Sequence, residues 1–329
     1  MTKDEVLATL LRNNGFVSGE SMSSVLGISR AAVNGAIKQL RLDGCIIESV
    51  TNKGYRIEYC PDRLYAGDVY SYLDTERCKS VICIPSVDST NNMLKEMAQK
   101  GTVTEGTCII ANEQTGGRGR LGRSFISPAN TGLYMSILIR PKGAVADISE
   151  ITAWTAVAVH NAIKNAYGVD TGIKWVNDLY INERKMTGIL TEMTFEGEVG
   201  IISNVIIGIG INVSQKETDF PEELSGIATS IAQACGLTGL SRAKLAGEVI
   251  KEVDKLSASW PSGKDSYLET YRNSCITLGR NVVVSNYATG ETRNAFAVDI
   301  NEDFSLKVRY EDGSIGNIIS GEVSVRPSF

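Results

Sequence analysis

The chain has 329 residues, a formal net charge of −5 at pH 7 and 43% hydrophobic residues, which is ordinary globular composition. The negative charge disfavours a protein that coats nucleic acid over its whole surface, although one basic face remains compatible with it. The sequence contains no run of 18 apolar residues, so no membrane span is expected. The acidic residues Asp4 and Glu5 are unlike the start of a secretory signal.

At roughly 150 residues per domain, the length predicts two or three domains. Residues 1–60 form the first predicted unit. Apolar residues at helical spacing predict three helices, the third with Ser29 as its N-cap and Gly44 at its end. Two alternating apolar stretches around the turn at 51–54 then predict a β-hairpin. This order of elements is that of a winged helix-turn-helix.

The third helix of this unit is predicted to bind DNA, because residues 29–42 carry basic and polar side chains and no acid. The residues predicted to contact phosphates or base edges are Ser29, Arg30, Asn34, Lys38, Gln39 and, on the wing, Lys53. A helical dimerisation module with a charged, solvated face is the alternative interpretation.

Residues 61–272 form the second predicted unit, which begins with a linker and connecting helix over 61–74. Longer helices are predicted near 148–167 and 241–258. Apolar runs predict strands at 81–87, 107–113, 132–139, 172–181, 188–195 and 200–213. In the third unit, 273–329, short strands separated by turns predict a small SH3-like β-barrel.

The seven cysteines are scattered without a CxxC pair, which predicts reduced cytosolic thiols. The single histidine, His160, lies in a helical apolar pattern and is predicted to be structural. Any Ser-His-Asp or Cys-His enzyme would depend on this residue. If the chain is an enzyme, we therefore expect Lys, Arg, Asp and Asn to carry its chemistry.

The sharpest motif is the segment 116–123, in which four glycines and three arginines occur within eight residues. Glycines let backbone N–H groups approach a ligand, and arginines supply fork-shaped donors for carboxylate and phosphate. The segment is neither a Walker A loop nor a dinucleotide fingerprint. It predicts a binding site for a small-molecule anion, with a flexible nucleic-acid-binding segment as the alternative.

Three further motifs contain polar residues or glycines at predicted strand or helix ends. Asn177 and Asp178 interrupt a strand, and Lys185 nearby suits phosphoryl chemistry; ordinary turn residues are the alternative. The segment 89–91 opens a helix and suits an acceptor-rich ligand, or is simple capping. In the segment 208–212, glycines at a strand end indicate close approach of a ligand.

Together these motifs resemble those of one family, the bifunctional biotin protein ligases, which also repress the biotin operon. The motifs are Ser-Thr-Asn (89–91), Gln114 before Gly-Arg-Gly-Arg-x-Gly-Arg (117–123), Lys-Trp-x-Asn-Asp (174–178), Lys-x-x-Gly-Ile-Leu (185–190) and Gly-x-Gly-x-Asn (208–212). The resemblance covers nearly the whole chain, including 320–326. It implies an α+β multidomain protein with a winged helix-turn-helix, a central α/β ligase domain with a mixed sheet, similar to class II aminoacyl-tRNA synthetases, and the SH3-like barrel.

The resemblance also implies the reaction. The carboxylate of biotin attacks the α-phosphate of ATP, giving biotinyl-5′-adenylate and pyrophosphate. A lysine of a biotin carboxyl carrier protein, of the acetyl-CoA carboxylase type, then attacks the adenylate and releases AMP. Joining two anions needs cations at both, so Lys185, Arg118 and Arg120 are the expected catalytic residues.

The implied partners are the carrier domain, operator DNA with biotinyl-adenylate as corepressor, and a second copy of the chain when the adenylate is bound. No membrane partner is expected, and the implied location is cytoplasmic.

The residues expected to bind biotin are Ser89, Thr90, Asn91, Gln114, Gly117, Arg118, Arg120, Lys185 and Gly188. Those expected to bind ATP or the adenylate are Arg123, Asn177, Asp178 and Asn212. Mg²⁺ is expected to arrive with ATP, and Asp178 is the one candidate to help hold it.

The sequence departs from the common family pattern at three positions. Val176 stands where Pro is frequent and is expected to keep the same extended backbone. Leu121 replaces a basic residue, and Ile227 falls near an aromatic position, so loop closure and adenylate affinity are expected to differ. Two alternatives stay open: a lipoate or octanoyl ligase of the same superfamily, and a ligand-sensing repressor without catalysis.

Overall fold

The computed structural model describes residues 2–141, 148–196, 201–285, 290–319 and 322–325. The helices are α1 (Thr2–Arg12), α2 (Gly19–Leu26), α3 (Arg30–Leu42), α4 (Ala66–Tyr70), α5 (Thr75–Cys78), α6 (Thr90–Gln99), α7 (Ile148–Tyr167), α8 (Ile231–Cys235), α9 (Arg242–Ser259) and α10 (Lys264–Ser274). The strands are β1 (Ile46–Val50), β2 (Gly54–Tyr59), β3 (Val81–Ile84), β4 (Cys108–Ala111), β5 (Gly132–Ile139), β6 (Gly172–Lys174), β7 (Asp178–Ile181), β8 (Arg184–Glu196), β9 (Ile201–Asn212), β10 (Asn281–Ser285), β11 (Thr292–Ile300), β12 (Leu306–Tyr310), β13 (Ile315–Ile318) and β14 (Glu322–Val325). Within these ranges, no helix combines the length and the apolar character that crossing a bilayer requires.

The N-terminal unit is a winged helix-turn-helix, as predicted. Helices α1, α2 and α3 bury a common core that includes Leu7, Met22 and Ile37. The Ser29 hydroxyl caps α3 by accepting the Ala32 N–H at 3.1 Å, which satisfies one of the donors that a helix start leaves unpaired. Strands β1 and β2 pair antiparallel to form the wing.

The expectation of scattered thiols does not hold for one pair of cysteines, because the wing brings Cys45 and Cys60 into direct contact. They directly precede β1 and directly follow β2, and the pairing of Ile46 with Tyr59 brings the two ends of the hairpin together. The sequence alone did not indicate that these two cysteines are neighbours, because their proximity depends on the register of β1 and β2. Cys78, Cys83, Cys108, Cys235 and Cys275 are free.

The central unit is built on a seven-stranded sheet in the order β3-β4-β5-β9-β8-β7-β6. Strands β3 and β4 are parallel and the other pairs antiparallel, so the predicted mixed sheet is confirmed. Alternate residues of a strand face opposite sides. Leu138 and Ile206 pack with Leu94 of α6, whereas Ile137 and Ile207 belong to the core formed with α7 and α9. The sheet is therefore covered by helices on both faces.

Three predictions about elements need correction. Instead of one connecting helix near 64–74 after the linker, the chain forms two short helices, α4 and α5, and Asp74 is the N-cap of the second. The predicted strand 172–181 is divided into β6 and β7, with the interruption at Asn177 where the sequence predicted one. Helix α10 was not predicted at all. Helices α7 and α9 agree with their predictions.

The C-terminal unit is an antiparallel five-stranded sheet in the order β13-β12-β11-β10-β14. Among the described residues, β13 and β14 are the two edges and are not paired with each other, so no closed barrel is present there. Of the predicted motif 320–326, residues 320, 321 and 326 lie outside the described residues.

The C-terminal unit contacts the segment between β6 and β7. The indole Nε1–H of Trp175 donates to the Phe304 carbonyl at 2.9 Å, and its backbone N–H donates to Thr277 Oγ1 at 3.0 Å. The hydroxyl of Tyr271 donates to the Val176 carbonyl at 3.2 Å. The peptide bond between Trp175 and Val176 is cis, whereas only an extended backbone was expected at Val176.

Arg242 fixes the linker between the first two units. Its fully buried guanidinium donates to the carboxylate and carbonyl of Asp62, at 3.0 and 2.6 Å. Its Nη1 also donates to Asn112 Oδ1 and to the Gly132 carbonyl, both at 3.0 Å. On the other side of the linker, Gly67 packs against the backbone of Asp4 in α1.

Candidate active site

A cavity of about 570 Å³ lies between the start of α6, the loop 114–128 and the strands β7, β8 and β9. Its walls contain all but one of the residues that the sequence predicted for biotin and ATP: Ser89, Thr90, Asn91, Gln114, Arg118, Arg120, Arg123, Asn177, Asp178, Lys185, Gly188 and Asn212. The exception is Gly117, which belongs to the loop but does not line the cavity. Motifs separated by more than a hundred residues are therefore brought together around one volume.

The floor of the cavity is made of glycines. A Cβ on Gly208 would lie 2.3 Å from Asn91 Oδ1, and a Cβ on Gly210 would lie 2.6 Å from the ring of Phe125. Gly188, which pairs with Gly210, leaves room for the same ring. Bare backbone is thus needed for these side chains to lie flat on the sheet. Phe125 was not predicted, although it is the one aromatic residue of the glycine-arginine region.

One end of the cavity is lined by hydrogen-bonding groups. Gln114 Oε1 accepts from the backbone N–H and the hydroxyl of Thr90, at 2.9 and 3.1 Å. Its Nε2 donates to Ser127 Oγ at 3.0 Å. From the sheet, the fully buried Ser136 contacts Thr90 Oγ1 and Asn91 Oδ1, at 2.7 and 2.5 Å. Ser136 was not predicted as a site residue, because it lies within an otherwise apolar strand.

Gly117 is required by the path of the loop. A Cβ at this position would lie 2.3 Å from the Phe125 carbonyl oxygen and 2.7 Å from Ser127 Oγ. The Phe125 N–H donates back to the Gly117 carbonyl at 2.9 Å, so the two sides of the loop lie against each other. The prediction that Gly117 itself touches biotin stays a prediction.

The loop is held to the sheet by an ion pair that the sequence did not reveal. Arg118 Nη2 lies 3.0 Å from Glu192 Oε1, and Arg118 Nη1 donates to Asn92 Oδ1 at 2.6 Å. The second oxygen of Glu192 accepts from Asn91 Nδ2 at 2.9 Å. Both Asn91 and Arg118, predicted as ligand contacts, are therefore engaged by protein groups.

Lys185 and Asp178 form the second ion pair, with Lys185 Nζ 2.7 Å from Asp178 Oδ2. They lie on paired strands, β7 and β8, and both side chains are largely shielded. The other oxygen, Asp178 Oδ1, is buried and has no hydrogen-bond partner among the described residues. The backbone of Lys185 is fixed by hydrogen bonds to Ile227 and Thr229, each 2.8 Å long.

Arg120 contacts the second motif directly. Its Nη1 donates to Asn177 Oδ1 at 3.0 Å, and Asn177 Nδ2 donates to the Ile189 carbonyl at 2.8 Å. The turn that carries Arg120 has Leu121 and Gly122 at positive φ, 59° and 73°. Glycine tolerates this conformation freely and leucine does not. Arg123 follows the turn and is exposed at the cavity wall.

Asn212 lines the cavity, but its amide already binds protein atoms. Its Nδ2 donates to the Thr229 carbonyl and its Oδ1 accepts from Gln215 Nε2, both at 3.1 Å. Gln215 also donates to the hydroxyl of Tyr134 at 3.2 Å. Burial raises the pKa of Tyr134 to about 12. Tyr134 donates in turn to the Pro128 carbonyl, so this network joins the end of the loop to β9.

The opposite end of the cavity is apolar. Phe220, Leu224, Ile227 and Ala228 form this wall. Ile227 and Leu121 are each 56% exposed, so two of the three positions that depart from the family pattern are open to a ligand or to solvent, whereas Val176 is buried. The described residues contain no group of three or more His, Cys, Asp or Glu side chains placed to hold a metal ion.

His160 is structural, as predicted. It is buried on α7, and its Nδ1 lies 2.9 Å from both the carbonyl and the hydroxyl oxygen of Thr171. Burial lowers the pKa of this imidazole. It does not line the cavity.

The six residues predicted to bind DNA are all exposed, five of them at or in α3 and one on the wing. Arg30 pairs with Glu20 at 2.6 Å, and Gln39 donates to Asp43 at 3.3 Å. Asn34 accepts from the hydroxyl of Tyr55 at 3.2 Å. Lys38 points outward from the same helix, and the Lys53 ammonium lies 5.9 Å from the centre of the Phe16 ring.

Comparison with known proteins agrees with this arrangement. The model of the Biotin/lipoate A/B protein ligase family matches residues 83–212, and that of an HTH domain matches residues 2–56. The chain is 40% identical over 237 residues to the bifunctional ligase/repressor BirA of Bacillus subtilis, covering 72% of each chain. It is 30% identical over 322 residues to the protein of that name from Salmonella typhimurium, covering 97% of this chain and 96% of the relative.

A solved structure of the biotin protein ligase from Aquifex aeolicus, in complex with biotin and ATP, is similar with a TM-score of 0.65 at 30% identity. The similarity covers 76% of this chain and all of the Aquifex chain. Together with the full-length similarity to the Salmonella protein, this places the winged helix and the cavity in one known combination. The chain belongs to the family of the bifunctional ligase/repressor BirA.

Proposed function

We propose that this chain is an ATP-dependent biotin protein ligase that is also a DNA-binding repressor of biotin synthesis genes. The observation that carries the proposal is the cavity, in which a hydrogen-bonding end, a cationic loop and a shielded lysine surround one volume. Biotinyl-5′-adenylate is the intermediate of the reaction and the corepressor. The acceptor is a lysine of a biotin carboxyl carrier protein of the acetyl-CoA carboxylase type.

The polar end of the cavity is proposed to bind the ureido ring of biotin through Ser89, Thr90 and Gln114. The arginines of the loop and Lys185 then meet the biotin carboxylate and the α-phosphate. In the absence of substrate, Asp178 balances the charge of Lys185. An arriving anion takes over part of this role, which allows two negatively charged reactants to approach each other.

The apolar wall is proposed to face the adenine ring, with Arg123, Asn177, Asp178 and Asn212 around the phosphates and ribose. Asp178 Oδ1 is a buried oxygen to which no described residue donates a hydrogen bond, and Mg²⁺ commonly binds one or two carboxylates together with substrate phosphates. The donor set therefore fits Mg²⁺-ATP. Bound there, Mg²⁺ would offset the charge of the pyrophosphate.

The domain boundaries remain our proposal: 1–60, 61–272 and 273–329. The antiparallel C-terminal sheet is proposed to be the SH3-like unit of the family. Its contacts with Trp175 and Val176, next to Asn177, support a role in fixing the ATP side of the cavity. We also propose a cytoplasmic location, where ATP and operator DNA are both present.

The ligase proposal is tested by incubating the protein with biotin, Mg²⁺-ATP and a carrier domain and measuring the carrier mass. The expected result is one biotinyl group per carrier and none without ATP. Lipoate in place of biotin is the control for the rival assignment. The polar end of the cavity favours a ureido ring over a lipoyl chain, so transfer of lipoate but not biotin would refute the proposal.

Dimerisation is proposed to depend on the adenylate, which orders the glycine-arginine loop and favours a homodimer that binds a two-half-site operator. Sedimentation of the protein with and without biotinyl-adenylate tests this. The expected result is a doubling of the mass on adenylate binding. An unchanged mass at protein concentrations that saturate the operator would refute it.

A further inference from the structure

Glu192 lies beside the cavity, and none of the predicted motifs assigns it a role. Its side chain is 17% exposed, and it contacts two elements that build the biotin end of the cavity. One is the glycine-arginine loop, reached through Arg118 Nη2 at 3.0 Å and Nη1 at 3.4 Å. The other is the start of α6, reached through Asn91 Nδ2 at 2.9 Å.

The position of Glu192 on β8 explains this double contact. Gly188, Leu190 and Glu192 face the same side of the strand because side chains alternate. The first two line the cavity, whereas Glu192 stands one step beyond it, opposite Ile206 on β9. Glu192 is thus close enough to hold the wall of the cavity and is not itself part of the wall.

Glu192 accepts one of the three hydrogen bonds made by the Asn91 side chain. Its Oδ1 accepts from Ser136 on β5, and its Nδ2 donates to Glu192 on β8, with a longer contact to the Leu190 carbonyl at 3.4 Å. The amide is therefore clamped between two strands, directly above Gly208. Removing the carboxylate frees one side of this clamp.

We propose that Glu192 is a positioning residue, which tethers the glycine-arginine loop to the sheet through Arg118 and fixes the start of α6 through Asn91. A loop with four glycines in eight residues loses much conformational entropy when a ligand orders it. A tether that orders the loop beforehand reduces this loss and so tightens binding. The kinetic consequence rests on the proposed ligase function, whereas the tether itself does not.

The tether is tested without any substrate by limited trypsin digestion, because Arg120 and Arg123 are cleavage points in the loop. Glu192→Ala is expected to raise the cleavage rate of the loop about fivefold or more, since loss of the ion pair increases local opening. Glu248→Ala is the matched control. Glu248 is 18% exposed and pairs with Lys251, whose exposure of 44% equals that of Arg118.

The kinetic test measures adenylate formation by the same variants. Glu192→Ala is expected to raise the KM for biotin about tenfold while kcat changes less than about threefold, because preorganisation acts on binding. Glu192→Gln can still accept from Asn91 and loses only the ion pair, so its KM is expected to fall between those of wild type and Glu192→Ala. Glu248→Ala is expected to behave as wild type.

A double-mutant cycle with Arg118→Ala identifies the route of the effect. If Glu192 acts on the loop through Arg118, cleavage after Arg120 and Arg123 is equally fast in Arg118→Ala and in the double variant. Additive effects, equal cleavage of the Glu192 and Glu248 variants, or a lowered KM in Glu192→Ala would each overturn the proposal. A wild-type protein that forms no adenylate would instead refute the ligase function and leave the trypsin result to decide the tether.

Discussion

In the proposed reaction, Lys185 is the residue on which the chemistry is expected to depend most directly. Its ammonium is largely shielded, and its backbone is fixed on both sides by the segment 227–229. A cation held in this way needs no reorganisation when charge develops on an α-phosphate, which is the condition for strong electrostatic stabilisation. Asp178 keeps this cation balanced until substrate arrives.

We therefore predict that Lys185→Ala lowers the rate of adenylate synthesis by about 10²–10³-fold, the usual cost of losing one preorganised stabilising group. Operator binding by preformed biotinyl-adenylate is expected to persist, because the winged helix is untouched. Lys264→Ala is the control, since this lysine is 33% exposed and ion-paired like Lys185, but lies away from the cavity. An unchanged synthesis rate in Lys185→Ala would disprove its catalytic role.

Single residues also show where sequence interpretation succeeds and fails. The motif residues were predictable because glycines, arginines and Asn-Asp pairs are conspicuous against apolar strands. Ser136 and Glu192 were not, because each stands alone in a strand and acquires meaning only from the strand register. The same holds for the pairing of Lys185 with Asp178, which depends on how β7 aligns with β8.

Among the elements, the glycine floor on β8 and β9 sets the height of the cavity. A methyl group on Gly210 would overlap the ring of Phe125, which lies between the sheet and the rest of the loop. The ring would have to move, and with it the loop that carries the arginines.

Gly210→Ala is accordingly expected to weaken biotin binding by about tenfold or more, because overpacking typically costs about 1–3 kcal/mol. Titration calorimetry with biotin measures the effect. Gly15→Ala serves as the control, since a Cβ there would meet nothing within 4 Å. Equal affinities of the two variants would show that the Phe125 ring is not part of the biotin site.

Helix α3 is the element proposed to enter the DNA groove. Lys38→Ala is expected to weaken operator binding about tenfold and to reduce the slope of log affinity against log salt by about one, as for one lost phosphate contact. Adenylate synthesis should be unchanged. Lys100→Ala, an exposed lysine at the end of α6, provides the comparison. An unaltered salt slope in Lys38→Ala would place the DNA elsewhere.

At the scale of the whole molecule, the order of three structural units was predictable from changes in the spacing of apolar and turn residues along the sequence. The contacts between the units were not predictable in this way. Helix α4 packs against α1 and α9, and the local sequence pattern of the connecting segment does not indicate these contacts. Closure of the C-terminal barrel was predicted from strand spacing alone, but spacing does not determine which edges pair. The described strands leave those edges apart.

The junction between the units contains a carboxyl group with a strongly shifted pKa. Burial raises the pKa of Asp68 to about 7, and the nearby carboxylates of Asp62 and Asp4 act in the same direction. The folded-state pKa thus exceeds the unfolded value. The contribution of the Asp68 carboxyl group to folding stability is therefore fully present below about pH 4 and is lost as the pH rises through about 7.

Relative to wild type, Asp68→Asn is therefore expected to gain about 2–3 kcal/mol of stability between pH 5 and pH 8.5, since the aspartate ionises at a cost in the folded state and the amide does not ionise. Urea unfolding at the two pH values measures this difference. Asp74→Asn is the control, because asparagine caps a helix as well as aspartate does. A pH-independent difference between Asp68→Asn and wild type would contradict the assignment.

The buried guanidinium of Arg242 has a consequence for how DNA is read. Detaching Asp62 from it would leave a cation stranded in the protein interior, at a cost of several kcal/mol. The linker is therefore expected to be rigid and to hold α3 at a fixed angle to the central sheet. In the proposed dimer, the distance between the two α3 helices, and hence the spacing of the operator half-sites, is therefore expected to be fixed by the dimer interface and not by a flexible linker.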